Sequence, residues 1–179
     1  MSTPARLCER MLSGDVRLEP LVEGHRATLK EACAADREIW EIYYRDFGPE
    51  GFDAEFDTLL ANDWQAFAAF HGERLVGMSS YIGIDPDEGV LEIGCTYFHP
   101  DVRGTTFNRT VKDLMIRHAR ECGFTNILFR IDDRNKRSQA AVRKLGASQV
   151  DFIRADRVTW TGHVRDTVVF ALNADDWNG

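Results

Sequence analysis

The residues best suited to chemistry lie in Tyr97-Phe98-His99-Pro100-Asp101-Val102-Arg103-Gly104-Thr105-Thr106-Phe107-Asn108. A strand-like run stops at Pro100, a loop rich in glycine and hydroxyl groups follows, and from Val111 apolar residues return at helical spacing. A strand that feeds a helix through such a loop leaves backbone N–H groups free at the positive end of the helix dipole. That arrangement seats a phosphate or pyrophosphate. Glu92 lies on the strand leading into the loop. Alternation sets Val90, Glu92, Gly94 and Thr96 on one face and Leu91, Ile93, Cys95 and Tyr97 on the other. A carboxylate there is a candidate general base, best with its pKa raised toward the working pH, or else one half of a cross-sheet ion pair. Asn135 and Ser138 have the types and spacing of a helix cap and the residue that donates to it. Cys95 has no histidine near it in sequence and reads as a buried thiol.

The elements that must hold these groups follow from periodicity. Val16 to Leu21 alternates and stops around Pro20, which predicts a short first strand. Glu23–Ala34, Asp36–Tyr44 and Phe52–Asn62 read as three helices. The pattern changes at Trp64: strands are predicted at Trp64–His71, Leu75–Ile84 and Val90–Phe98, joined by turns at His71-Gly72-Glu73-Arg74 and Asp85-Pro86-Asp87-Glu88-Gly89, an antiparallel meander. Val111, Leu114, Met115, His118, Ala119 and Cys122 then form one helical stripe that Gly123 stops. Asn126–Ile131 is a compact strand, Asn135 or Lys136 opens a last helix ending near Leu145-Gly146, and strands at Ser148–Val158 and His163–Leu172 close the chain. An α/β fold with a mixed sheet of about seven strands and helices on both faces accommodates this order. No linker divides residues 1–179, so one domain is expected.

The composition, 44% hydrophobic and 28% charged with a net charge of −7, fits a globular chain and not a general nucleic-acid binder, which carries a basic footprint. An acidic balance suits a cationic substrate. The acids Asp46, Glu50, Asp53, Glu55 and Asp57 read either as a solvated helix face or as an acidic rim that attracts an amine. The four cysteines lack metal-ligand spacing and predict free thiols in a reducing compartment. With no signal-peptide core and no membrane-length apolar run, the expectation is a cytoplasmic protein that does not bind membranes.

Three segments resemble the GNAT superfamily of acyl-CoA N-acyltransferases, in particular its RimJ/RimL-type branch of ribosomal-protein N-terminal acetyltransferases. They are Leu91 to Pro100, Arg103 to Asn108 with the helix after it, and Asp132 to Ala140 with Lys144-Leu145-Gly146-Ala147. The resemblance spans nearly the whole chain. It implies transfer of an acetyl group from acetyl-CoA, with no metal, to a primary amine on a peptide N-terminus or a small molecule. It implies that the loop amides hold the pyrophosphate beside Tyr97, Phe98, Arg103, Gly104, Thr105, Thr106, Phe107 and Asn108. It places Asn135 on the pantetheine arm and Ser138 near the thioester sulfur, where a serine can protonate the thiolate, and it makes Glu92 the candidate base. Amides on the Cys95–Phe98 strand would polarise the thioester carbonyl. Asp101 and Thr106 stand where the family pattern has Gln or Arg and a small residue. They leave open a CoA-binding or regulatory protein without catalysis. Trp160 and Phe170 leave a homodimer edge open.

Overall fold

A computed structural model describes residues 3–179. Its core is one eight-stranded sheet in the order β1-β2-β3-β4-β5-β6-β8-β7. The strands are β1 Met11–Ser13, β2 Val16–Pro20, β3 Gln65–His71, β4 Arg74–Asp85, β5 Val90–Phe98, β6 Asn126–Asp132, β7 Ser148–Val158 and β8 Val164–Asn173. The helices are α1 Arg26–Ala34, α2 Phe52–Ala61, α3 Phe107–Glu121 and α4 Lys136–Lys144. The first strand is an addition to the sequence reading. It is three residues long and pairs with β2 across a turn in which Gly14 takes a φ of 60°, too short for alternation to reveal. The segment expected as a helix at Asp36–Tyr44 is a 3-10 turn at Glu38–Ile42, shaped by aromatic packing: Trp40 lies 4.6 Å from Tyr97 and 4.9 Å from Tyr43, ring centre to ring centre.

Two apolar layers sandwich the sheet. One joins α3 and α4 to it through Val111, Met115, Ile116, Val142 and Leu145. The other joins α1, the 3-10 turn and α2 through Leu29, Trp40, Phe52 and Phe56. All neighbouring strands are antiparallel except β5 and β6, which are parallel and pair only over Val90–Glu92 and Asn126–Leu128. Beyond that short ladder the two strands part.

The strict alternation expected along β5 fails at one residue. Between Gly94 and Tyr97 the register against β4 slips, with Ser80 opposite Gly94 but Met78 opposite Tyr97, and Cys95 adopts a φ of 48°. This is a β-bulge, an extra residue that re-aims everything after it. Leu91 and Ile93 therefore pack with α3, whereas Tyr97 packs with α1 and Trp40. Thr96 turns toward α3, where the Lys112 ammonium donates to it.

Candidate functional site

The parting of β5 and β6 opens a cleft of about 820 Å³. Glu92, Gly94, Cys95, Thr96, Tyr97 and Phe98 line it from β5, and Phe129 to Asp132 line it from β6. The loop and the start of α3 add Arg103, Gly104, Thr105, Asn108, Arg109 and Lys112, and α4 adds Asn135, Arg137, Ser138 and Lys144. The cleft thus brings together every site residue expected from sequence except two. Thr106 and Phe107 instead line a separate pocket of about 360 Å³ with His71 and Arg74. Phe107 is buried, edge-on to Phe98 at 5.1 Å. Its side chain belongs to the core because the first helical turn must anchor α3 to the sheet.

The loop is pre-shaped. Gly104 sits at a φ of 76°, a left-handed conformation that costs other residues about 1–2 kcal/mol. The Thr105 hydroxyl donates to the Val102 carbonyl and accepts from the Phe107 amide at 3.1 Å. Thr105, not Thr106, therefore caps α3, and its hydroxyl is engaged inside the loop. Among the described residues the amides of Gly104, Thr105 and Thr106 donate to no protein group. The Arg103 side chain turns back, donating to the Phe98 carbonyl at 2.8 Å and pairing with Asp36, with its guanidinium 5.4 Å from the Tyr97 ring. Asp101 points away from the loop to Arg74 at 2.8 Å and is largely exposed. This pairing holds its carboxyl below the usual range and removes the conflict with a bound anion. Free loop amides at the start of a fifteen-residue helix, with Arg137 and Lys144 lining the same cleft, fit a pyrophosphate.

Across the cleft, Asn135 caps α4 by accepting from the Ser138 amide at 3.0 Å. Ser138 is half-buried, and its hydroxyl bonds no other group among the described residues. Glu92 is mostly buried, and desolvation raises its carboxyl pKa against the opposing pull of Arg130, whose Nε lies 3.6 Å away. A Cβ at Gly94 would approach Glu92 Oε1 to 2.7 Å, so glycine leaves the carboxylate its space. Burial pushes the Cys95 thiol up to about 12, which removes it as a nucleophile. Tyr43 donates its hydroxyl to the Thr96 carbonyl, beyond the point where β5 stops pairing with β6.

Lys112 was not foreseen. It is 6% exposed, donates to Thr96 Oγ1 at 2.7 Å and to Ser79 Oγ at 3.4 Å, and forms no ion pair among the described residues. Burial lowers its pKa to about 7. A signal existed: Lys112 shares a helical face with Met115, Ile116 and Ala119, all buried. The other unforeseen lining is a group of arginines, Arg45, Arg130, Arg157 and Arg165. The two aromatics of the C-terminal hairpin have different surroundings. Phe170 is fully buried, and Trp160 donates its indole N–H to the Trp40 carbonyl at 2.8 Å, tying the hairpin to the 3-10 turn. Trp160 nevertheless stays 47% exposed.

A bulged strand, a glycine loop with free amides and a cleft where two parallel strands part are the features that an acetyltransferase domain presents. The model of the acetyltransferase (GNAT) domain matches residues 15–148, and the chain belongs to that family. A T. thermophilus protein described as an acetyltransferase is 30% identical, with a TM-score of 0.84 over 94% of this chain and 91% of that one. A GCN5-related N-acetyltransferase from Brucella melitensis is 22% identical, with a TM-score of 0.89 over 98% and 83%. A spermidine N-acetyltransferase from Vibrio cholerae, solved with CoA and spermine, shares the fold at 14% identity, with a TM-score of 0.73 over 91% and 98%. No curated protein matches the chain. Among the described residues no helix is long and apolar enough to cross a membrane.

Proposed function

We propose that the protein transfers an acetyl group from acetyl-CoA to a primary amine, on a peptide N-terminus or a small molecule, by direct attack with both substrates bound. The observation that carries this is the continuity of one cleft. It runs from unpaired loop amides, past the bulged edge of β5, to a buried carboxylate with a raised pKa. Acetyl-CoA supplies the activated acyl group as a thioester.

In this reading the loop amides and the α3 N-terminus hold the pyrophosphate. Asn135 and Ser138 face the pantetheine arm, and amides on the open edge of β5 beside Thr96 polarise the thioester carbonyl. Glu92 takes the proton from the attacking amine, and the free Ser138 hydroxyl gives one to the departing thiolate. Much of the acceleration comes from holding both reactants in one cleft. The RimJ/RimL-type branch named from the motifs is part of this proposal. Calorimetry with acetyl-CoA and thiol release over an amine library test it. Absence of acetyl-CoA binding at millimolar concentration refutes it.

A further inference from the structure

At the end of the cleft away from the loop, three guanidinium groups surround one ring. The central carbons of Arg45, Arg157 and Arg165 lie 5.3, 4.9 and 5.9 Å from the centre of Tyr44. Arg130 lines the same wall. Three of these four arginines have a carboxylate: Arg45 pairs with Glu55 at 2.7 Å, Arg130 with Glu92 at 3.6 Å and Arg157 with Asp156 at 2.9 Å. Arg165, on β8, has none among the described residues.

Arg165 is also the most buried of them, at 5% exposure. One of its terminal nitrogens donates to the Arg130 carbonyl at 3.1 Å, while its Nε is buried without any partner. The carboxylates nearby are committed elsewhere. Asp132 is held at both oxygens by Arg134, at 3.0 and 2.8 Å, and Asp156 takes the Thr167 hydroxyl as well as Arg157. A guanidinium cannot escape its charge by releasing a proton at ordinary pH. A buried cation left in this state is destabilising unless an anion completes it. Burial and the neighbouring Arg157 lower its proton affinity and outweigh the opposing pull of Asp132, Asp156 and Glu92, none of which pairs with it directly.

We infer that Arg165, flanked by Arg157 and Arg130, forms an oxyanion subsite in the acceptor half of the cleft, and that the acceptor amine carries a carboxylate or a phosphate. The inference rests on the acetyl-transfer reading above. Arg130 ties the two recognition points together, its side chain beside Glu92 and its carbonyl beside Arg165. The amine and the oxyanion of the acceptor therefore lie close to each other, as in a short zwitterionic molecule. A polycation is repelled by the same wall. The acids on the outer helix do not offset this. Asp53 and Asp57 pair with Arg26, and Asp53 also with Lys30.

The test uses matched amines with acetyl-CoA: β-alanine against β-alaninamide for a carboxylate, O-phosphoethanolamine against ethanolamine for a phosphate, and spermidine as the polycation. In at least one pair the anionic member has kcat/KM at least tenfold higher, spermidine is the poorest substrate, and the responsive pair identifies the oxyanion. Arg165→Met brings that ratio close to one, and Arg165→Lys keeps part of it. Melting curves establish that the variants are folded, and the wild-type ratios decide the matter if Arg165→Met is not. Equal or better turnover of the neutral member in both pairs overturns the inference, as does a ratio that Arg165→Met leaves unchanged. If acetyl-CoA binds but no amine is acetylated, the acetyl-transfer reading fails. Calorimetry with N-acetyl-β-alanine and with inorganic phosphate then decides the subsite alone: loss of affinity in Arg165→Met supports it, and absence of binding to the wild type overturns it.

Discussion

Replacing Lys112 by methionine should make the protein more stable, and more so at neutral than at alkaline pH. The unfolded chain holds this ammonium at its ordinary pKa of 10.5, and burial lowers it to about 7 in the folded state. The unfolded state therefore binds more protons between these values, so stability rises with pH across that window. At one pKa unit per 1.36 kcal/mol, the buried lysine costs about 5 kcal/mol below pH 6, about 4 at pH 7, about 2 at pH 9 and nothing well above 10.5. Methionine has similar length and no charge. It forfeits the hydrogen bond to Thr96, roughly 1 kcal/mol, yet strands neither hydroxyl, because Ser79 and Thr96 already bond each other at 2.7 Å. The net gain is about 3 kcal/mol at pH 7, or a Tm higher by ~10 °C in a chain of this size, and about 1 kcal/mol at pH 9. The groups facing the amine from β5 are Glu92 and Cys95. Both remain in the variant, so the difference between the two proteins isolates the lysine. Urea unfolding followed by tryptophan fluorescence at pH 6, 7 and 9 measures it. A variant less stable than the wild type at pH 7, or an advantage that does not shrink toward pH 9, refutes the reasoning.

Other expectations concern the cleft. Glu92→Gln should lower kcat by about 10²–10⁴-fold, the usual range for general base catalysis, and abolish the acid limb of the pH profile. That limb lies above the usual carboxylate range because burial raises the pKa; a variant within threefold of wild type removes Glu92 from the chemistry. Gly104→Asp puts a strained, charged residue at a φ of 76° beside the free amides. Acetyl-CoA affinity measured by calorimetry should fall by at least tenfold, and unchanged affinity would detach the loop from the site. Asn135→Ala removes the cap that receives the Ser138 amide. It should lower stability by about 1 kcal/mol in a denaturant titration, and a loss below a few tenths would mean that packing alone sets the start of α4.

The parts of this site carried by local patterns were legible in the sequence. Hydroxyl and glycine types at Gly104 and Thr105 announced a loop before a helix, and the Asn135–Ser138 spacing announced a cap. The alternation rule gave the right faces for Leu91 and Ile93 and the wrong ones after Cys95, because a bulge is a relation between two strands and leaves no period in one. The short β1 was hidden because three residues carry too little pattern. The burial of the Phe107 side chain was not legible, because the same residue types that begin a binding helix also anchor it to the core. The arginine cluster was invisible for a different reason: Arg130, Arg157 and Arg165 meet only when β6, β8 and β7 pair, and Arg45 joins them from the loop before α2.

The bulge at Cys95 links the two unforeseen features. By turning Thr96 toward α3 it gives Lys112 its hydrogen-bond acceptor, and it lies just past Glu92, the last residue of β5 that pairs with β6. Departure of β6 opens the wall where Arg130 and Arg165 stand. Both Lys112 and Arg165 are cations placed where folding stability alone would favour an apolar or a paired side chain. Lys112 relieves its burial by shedding a proton near neutral pH; Arg165 has no such route, and among the described residues no carboxylate pairs with it directly. The end of β5 thus adjoins a group that adapts its charge and, across the cleft, the group inferred to recruit a ligand. For that reason Arg165, rather than Lys112, is the residue from which the chemistry of the acceptor can be read.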